Sequence, residues 1–208
     1  MGIAAPLADS DLFAATQFEL RDPPGRVGRW VVRRVHGAEV DSRHLLVRAD
    51  GQPLGLVRKA RRRLAELLYS SRLEVVDPGG TVLLVLLSTS TSLSVRDAGG
   101  QLGVLRRRLA ERRPPQPRVR LYSGPVGSEV EVAALAPRGE YARFGAPGVS
   151  LIVDPSGATA ARVTGAGDFR HVAEISAGID DALRVLVIAF TCSFADHHWL
   201  YWTRQGVY

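Results

Sequence analysis

Five cations occupy six consecutive positions at Arg58, Lys59, Arg61, Arg62 and Arg63. A second cluster follows at Arg106, Arg107, Arg108, Arg112 and Arg113. Clusters of this kind do one sort of chemistry well, which is holding phosphate. Beside an anionic membrane each cation contributes about 1 kcal/mol, and the gain falls with salt. The same charges suit the phosphates of nucleic acid. A groove for single strands would interleave aromatic side chains as stacking platforms, and residues 58 to 63 contain none. This makes nucleic acid the weaker reading. A third reading is an ordinary solvated face in an arginine-rich protein.

Other reactive residues carry less. Asp196, His197 and His198 are consecutive. Adjacent histidines do not share a helix face, and no third metal ligand stands at a useful spacing. A helix C-terminus favours a protonated histidine through its dipole, so a structural role is expected there. Cys192 is the single cysteine and lies in an apolar run. An internal disulfide is excluded, and a nucleophile would need a base and some exposure. "GAG" at residues 165 to 167 lacks the strand-to-helix setting of a dinucleotide site. No Ser/His/Asp arrangement can be assembled. The expectation is a non-enzymatic protein with no catalytic residue, no metal and no cofactor.

Composition sets the frame for these residues. At 208 residues, with 46% hydrophobic and 23% charged residues, the chain has enough apolar material for a sizeable core. Its net charge is +6, carried by arginine, since Lys59 is the only lysine. The start, "MGIAAPLADSDLF", has neither a basic n-region nor a long apolar h-region, so no signal peptide is expected. Gly2 has Pro6 where a myristoylation motif needs Ser or Thr. The expected location is the cytoplasm, with peripheral membrane association as the variant that the basic clusters would favour.

The elements that must position the clusters are written in a repeated phrase. Apolar alternation, then Asp-x-x-Gly, then more alternation occurs at Asp22–Gly25, Asp77–Gly80, Asp97–Gly100 and Asp154–Gly157, with Asp50-Gly51 as a tighter version. Alternation puts one set of side chains on one sheet face. Asp accepts from backbone amides across a turn, and Gly tolerates positive φ at its end. Pro23, Pro78 and Pro155 preset φ at the second position. "RVRLYSGPVGSEVEVAAL", residues 118 to 135, reads as a degenerate sixth copy. Six hairpins predict roughly twelve strands. Two segments break the pattern. Residues 55 to 72 read as a short basic helix or an arginine-rich loop, with Leu64, Leu67 and Leu68 on one helical face. Residues 106 to 118 read as a charged connector rather than a domain boundary.

The last segment decides the architecture. From Leu183 to Ala195 the only charge is Arg184, after a predicted N-cap at Asp180. A helix apolar on every side is buried on every side. It is too short to span a bilayer, which takes about 20 residues, and Asp196 ends the run. A sandwich covers two sides of such a helix; a closed barrel covers all of them. A barrel of around twelve strands has a lumen that a helix about 10 Å across would fill. The predicted fold is therefore mainly β: a roughly twelve-stranded barrel threaded by a hydrophobic C-terminal helix at about residues 180–196. A single domain is expected over residues 12–202, preceded by an N-terminal tail, residues 1–11.

The repeated "VxDxxG" hairpins, the basic segment after the second, and the final "DDALRVLVIAFTCSFADHHW" resemble the phospholipid scramblase and LURF-one-related proteins of the tubby C-terminal-like superfamily. With the arginine bias, which reads as high-GC coding, the resemblance fits a bacterial, actinobacterium-like member. It implies the same barrel and central helix, and it implies contact with anionic phospholipid. Calcium binding does not carry over. The stretch matching the acidic region of animal scramblases, "DFRHVAEISAGI", has Arg170, Val172 and Ile179 at ligand positions and Ala173 at the glycine position; it reads as the last strand. Three functions fit these residues. One is docking on anionic lipid through Arg58, Lys59, Arg61, Arg62, Arg63, Arg106, Arg107 and Arg108. Another is a small-ligand carrier or enzyme at the barrel mouth. The third is a protein-interaction module using the aromatic end "WLYWTRQGVY".

Overall fold

Alternating apolar segments can satisfy their backbone only by pairing, and here they pair without leaving an edge. The computed structural model describes residues 3–22, 43–61, 64–107, 119–135, 148–165 and 170–195. Two helical turns come first, α1 (Ala5–Ala8) and α2 (Asp11–Ala14). The strands are β1 (Gln17–Arg21), β2 (Arg43–Val47), β3 (Pro53–Lys59), β4 (Ser71–Val76), β5 (Val82–Ser88) and β6 (Ser92–Asp97). They continue with β7 (Gly100–Arg107), β8 (Val119–Ser123), β9 (Val130–Leu135), β10 (Gly148–Val153), β11 (Thr159–Gly165) and β12 (His171–Ile175), and α3 (Asp181–Cys192) follows. Each strand is antiparallel to the next, and β1 pairs with β12, so the sheet closes as a twelve-stranded barrel.

The Asp turns work as the repeat predicts. Asp77 Oδ1 accepts from the Thr81 amide at 2.7 Å, and Asp97 Oδ1 accepts from Gly99 at 2.7 Å and Gly100 at 3.1 Å. Asp154 Oδ1 accepts from Ser156 and Ala158, and Asp50 Oδ1 from Gln52. The positive φ that each turn needs falls on glycine, as at Gly80 (93°) and Gly157 (88°). The degenerate copy is also a hairpin, joining β8 to β9.

The first copy is different. β1 pairs with β2, with twenty-one residues, 22–42, between them, and Asp22 Oδ1 lies 2.8 Å from His44 Nε2; the rest of the turn expected at Asp22–Gly25 lies outside the described residues. The strand total still reaches twelve. Five hairpins supply ten strands, and β1 and β12 supply the pair that closes the ring.

α3 fills the lumen. Every residue from Val185 to Ala195 is buried, three turns with no solvent-facing side. Its N-cap is Asp180, whose Oδ1 accepts from the Leu183 amide at 2.8 Å. The two polar residues in the run bond their own helix: Thr191 donates to the Val187 carbonyl and Ser193 to the Phe190 carbonyl. Packing against the wall is tight. A Cβ on Gly103 would lie 2.9 Å from Leu186 Cδ2 and 2.3 Å from the Tyr122 carbonyl oxygen.

The one cation of α3 ties the N-terminal segment into the fold. Arg184 donates to the carbonyls of Phe13 and Ala15, and Leu7 and Leu12 are fully buried. Residues 4–15 therefore pack as part of the fold and close one mouth of the barrel; the boundary expected at residue 12 lies too late. The basic segment needs a second correction. Residues 55–59 belong to β3, and among the described residues between β3 and β4 the helical geometry is a 3-10 turn, Leu64–Glu66, within a loop. Leu64, Leu67 and Leu68 are all exposed.

Candidate functional site: the arginine-bearing mouth

Because successive strands alternate in direction, the odd-numbered strands all end at one mouth and the even-numbered strands at the other. The Asp turns after β2, β4, β6 and β10 lie at the second mouth. Asp180 and Asp181 at the start of α3 and Asp11 on α2 join them there. Arg58, Lys59 and Arg61 lie at the opposite mouth, at the end of β3, and Arg106 and Arg107 lie there at the end of β7. Arg43 stands beside Arg58 in register. Arg62, Arg63 and Arg108 lie outside the described residues, as do Arg112, Arg113, Asp196, His197, His198 and the aromatic end.

Topology thus brings both basic clusters to one rim without merging them. Four strand steps separate β3 from β7, about 19 Å along the wall at about 4.8 Å each.

The cations differ in exposure. Lys59 and Arg61 are exposed. Arg58 donates through Nε and Nη2 to one oxygen of Glu74, at 2.9 and 2.8 Å. Arg106 reaches along the outer wall to Glu129 at 3.1 Å, its guanidinium 5.0 Å from the Tyr122 ring centre. Arg72 matters most here and was missed in the sequence reading. It is buried on the outer face of β4, donating to Glu74 at 2.9 Å and pairing closely with Glu66. Arg72 and Glu74 are two residues apart on a strand, hence on one face. That spacing of opposite charges was the available signal.

Burial pushes the Glu74 carboxyl up, but hydrogen bonds from Arg72 and Arg58 outweigh it and hold the carboxyl below its ordinary value. The chain Arg58–Glu74–Arg72–Glu66 pins the β3–β4 loop to the wall.

No protein-family model matches the chain, and no curated protein matches its sequence. The site must be read from its own geometry.

Cys192 lies far from this chemistry in kind. It is wholly buried, and burial pushes its thiol well above the ordinary value. A disulfide-exchange reagent is expected to label the folded protein only as fast as the barrel opens, and to reach one equivalent in denaturant. Rapid stoichiometric labelling in native buffer would place the thiol at the surface.

No helix among the described residues is long and apolar enough to cross a membrane. The barrel wall is also the reverse of a lipid-spanning one. Its lumen is apolar, while its outer face carries pairs such as Arg58–Glu74 and Arg120–Glu131.

Proposed function

We propose that this chain is a non-enzymatic, tubby-like barrel of the scramblase and LURF-one-related kind that docks peripherally on anionic phospholipid. The observation that carries the reading is the barrel's charge polarity. Among the described residues Arg58, Lys59, Arg61, Arg106 and Arg107 lie at one mouth and Asp50, Asp77, Asp97, Asp154 and Asp180 at the other, with Asp22 and Arg48 against the trend, so the field of the molecule orients it before contact. From residue 58 to residue 74 the chain has six cations against two carboxylates, Glu66 and Glu74. Both carboxylates are already paired with Arg58 and Arg72. The surplus at this rim is positive and has Lys59 and Arg61 exposed within it. A lumen filled by α3 counts against a carrier site inside the barrel.

Flotation with phosphatidylcholine vesicles, with and without phosphatidylserine, across a salt series tests the proposal. Binding is expected only with the anionic lipid and is expected to weaken as salt rises. The variant K59Q/R61Q/R62Q/R63Q leaves Arg58 on Glu74. At about fivefold per cation, it should bind about six-hundredfold more weakly at low salt. Equal binding by the variant, or binding to duplex DNA in place of vesicles, would remove the lipid reading.

A further inference from the structure

The loop between β3 and β4 is built inside out. Glu66 is 8% exposed, while Leu64, Leu67 and Leu68 are 85%, 59% and 92% exposed. Residues three apart eclipse in a 3-10 turn, so Leu64 and Leu67 share one face, and Leu68 follows directly. The loop cannot simply roll over to bury them. Glu66 is held by Arg72 on the outer wall. Tyr69 accepts from Arg96 at 3.3 Å, and the Ser70 amide donates to the Ser88 carbonyl at 2.7 Å. On the other side the Ala60 amide donates to the Arg72 carbonyl at 3.0 Å, so both flanks of the turn are fastened with the leucines facing out.

Single exposed apolar side chains are ordinary. Three within five residues, beside exposed cations, are not. The other exposed large apolar side chains among the described residues are Val82 and Val130, which open β5 and β9, and Val126 on the β8–β9 connection, all at the aspartate mouth.

We propose that Leu64, Leu67 and Leu68 insert into the headgroup–acyl boundary of an anionic bilayer while Lys59 and Arg61 engage its phosphates. This rests on the docking reading above and deepens it: the contact is partly hydrophobic and therefore partly resistant to salt. Charge favours this occupant over a second copy of the chain. A two-fold pairing through the leucines would bring each copy's Lys59 and Arg61 towards those of the other, whereas a bilayer offers apolar depth rimmed by negative charge.

The test compares wild type, L64S/L67S/L68S and the charge variant on phosphatidylserine-containing vesicles at low and high salt. The leucine variant should melt like wild type, because its side chains face solvent. It should keep salt-sensitive binding and lose at least about tenfold of the binding that survives high salt. Because Cys192 is buried, Leu68→Cys can be labelled selectively in the folded protein with an environment-sensitive nitrobenzoxadiazole dye. Its emission should shift to the blue on vesicles and be quenched by lipid carrying a nitroxide near the headgroup.

Wild type failing to bind vesicles at all would overturn the docking reading, and the wedge with it. Wild type binding while the leucine variant matches it at every salt, with no shift of the dye, would overturn the wedge alone. A wild-type oligomer on gel filtration that the leucine variant dissolves would assign the leucines to a second copy and overturn it too.

Discussion

Val187→Asp is expected to leave the chain largely unfolded at neutral pH. Val187 lies midway along α3 with no exposure, and both sequence neighbours are equally covered. Losing the buried valine costs about 1.5 to 3 kcal/mol, and an unpaired carboxylate in the same place costs several more. The sum is comparable to the whole stability of an ordinary domain, about 5 to 15 kcal/mol. The one cation within helical reach is Arg184, three residues earlier, and it already donates to the Phe13 and Ala15 carbonyls. Recruiting it would strip the N-terminal segment from the mouth.

The deficit should depend on pH with a definite sign. Burial raises the folded-state pKa of the new carboxyl above its unfolded value of about 3.9. The variant is then least impaired below about pH 4 and loses stability as pH rises through the folded pKa. Val187→Asn should lack that slope. Urea unfolding of the three proteins at pH 4 and pH 7 measures it. An unchanged midpoint at pH 7 would mean that α3 is not enclosed.

Most of this fold was legible because its signals are local. Each Asp-x-x-Gly turn needs an acceptor at one end and a positive φ at the other, and four residues display both. The enclosed helix was legible for the opposite reason: thirteen residues interrupted by one arginine leave no face for water. What failed was non-local. Nothing near Asp22 tells β1 to wait for Arg43–Val47, because the partner strand lies twenty-one residues on. Nothing around Leu7 shows that it seals a barrel whose helix arrives at the far end of the chain.

The rim was half legible. Counting arginines located Arg58, Lys59 and Arg61, and a helical period was read into Leu64, Leu67 and Leu68. That period says that the leucines share a face but not which way the face turns. A buried ion pair at Glu66 turns it outward, and only the closed wall brings Arg72 beneath Glu66.

Arg72→Met is the second large effect, expected to cost about 3 to 5 kcal/mol, the usual result of removing one partner from a buried ion pair. The guanidinium serves two carboxylates, both on side chains nearly out of solvent, and Glu74 is shared with Arg58. The pH dependence separates this from a simple loss of packing. In the wild type the Glu74 carboxyl sits below its ordinary value, so it contributes stability above about pH 4.3, and that contribution is lost as pH falls through the lower folded pKa. Without Arg72 the burial of Glu74 is offset by Arg58 alone, its carboxyl rises, and the variant's deficit should shrink between pH 6 and pH 4. Adding Glu66→Gln and Glu74→Gln to Arg72→Met should restore much of the stability at pH 7, since no buried charge then remains unpaired. If the single variant unfolds like wild type in urea at pH 7, the pair is not buried and the β3–β4 loop is not fastened by it. If it is fastened, Arg72→Met also frees the turn that holds the three leucines outward. Salt-resistant vesicle binding should then fall although every leucine and every exposed cation of the loop is still present.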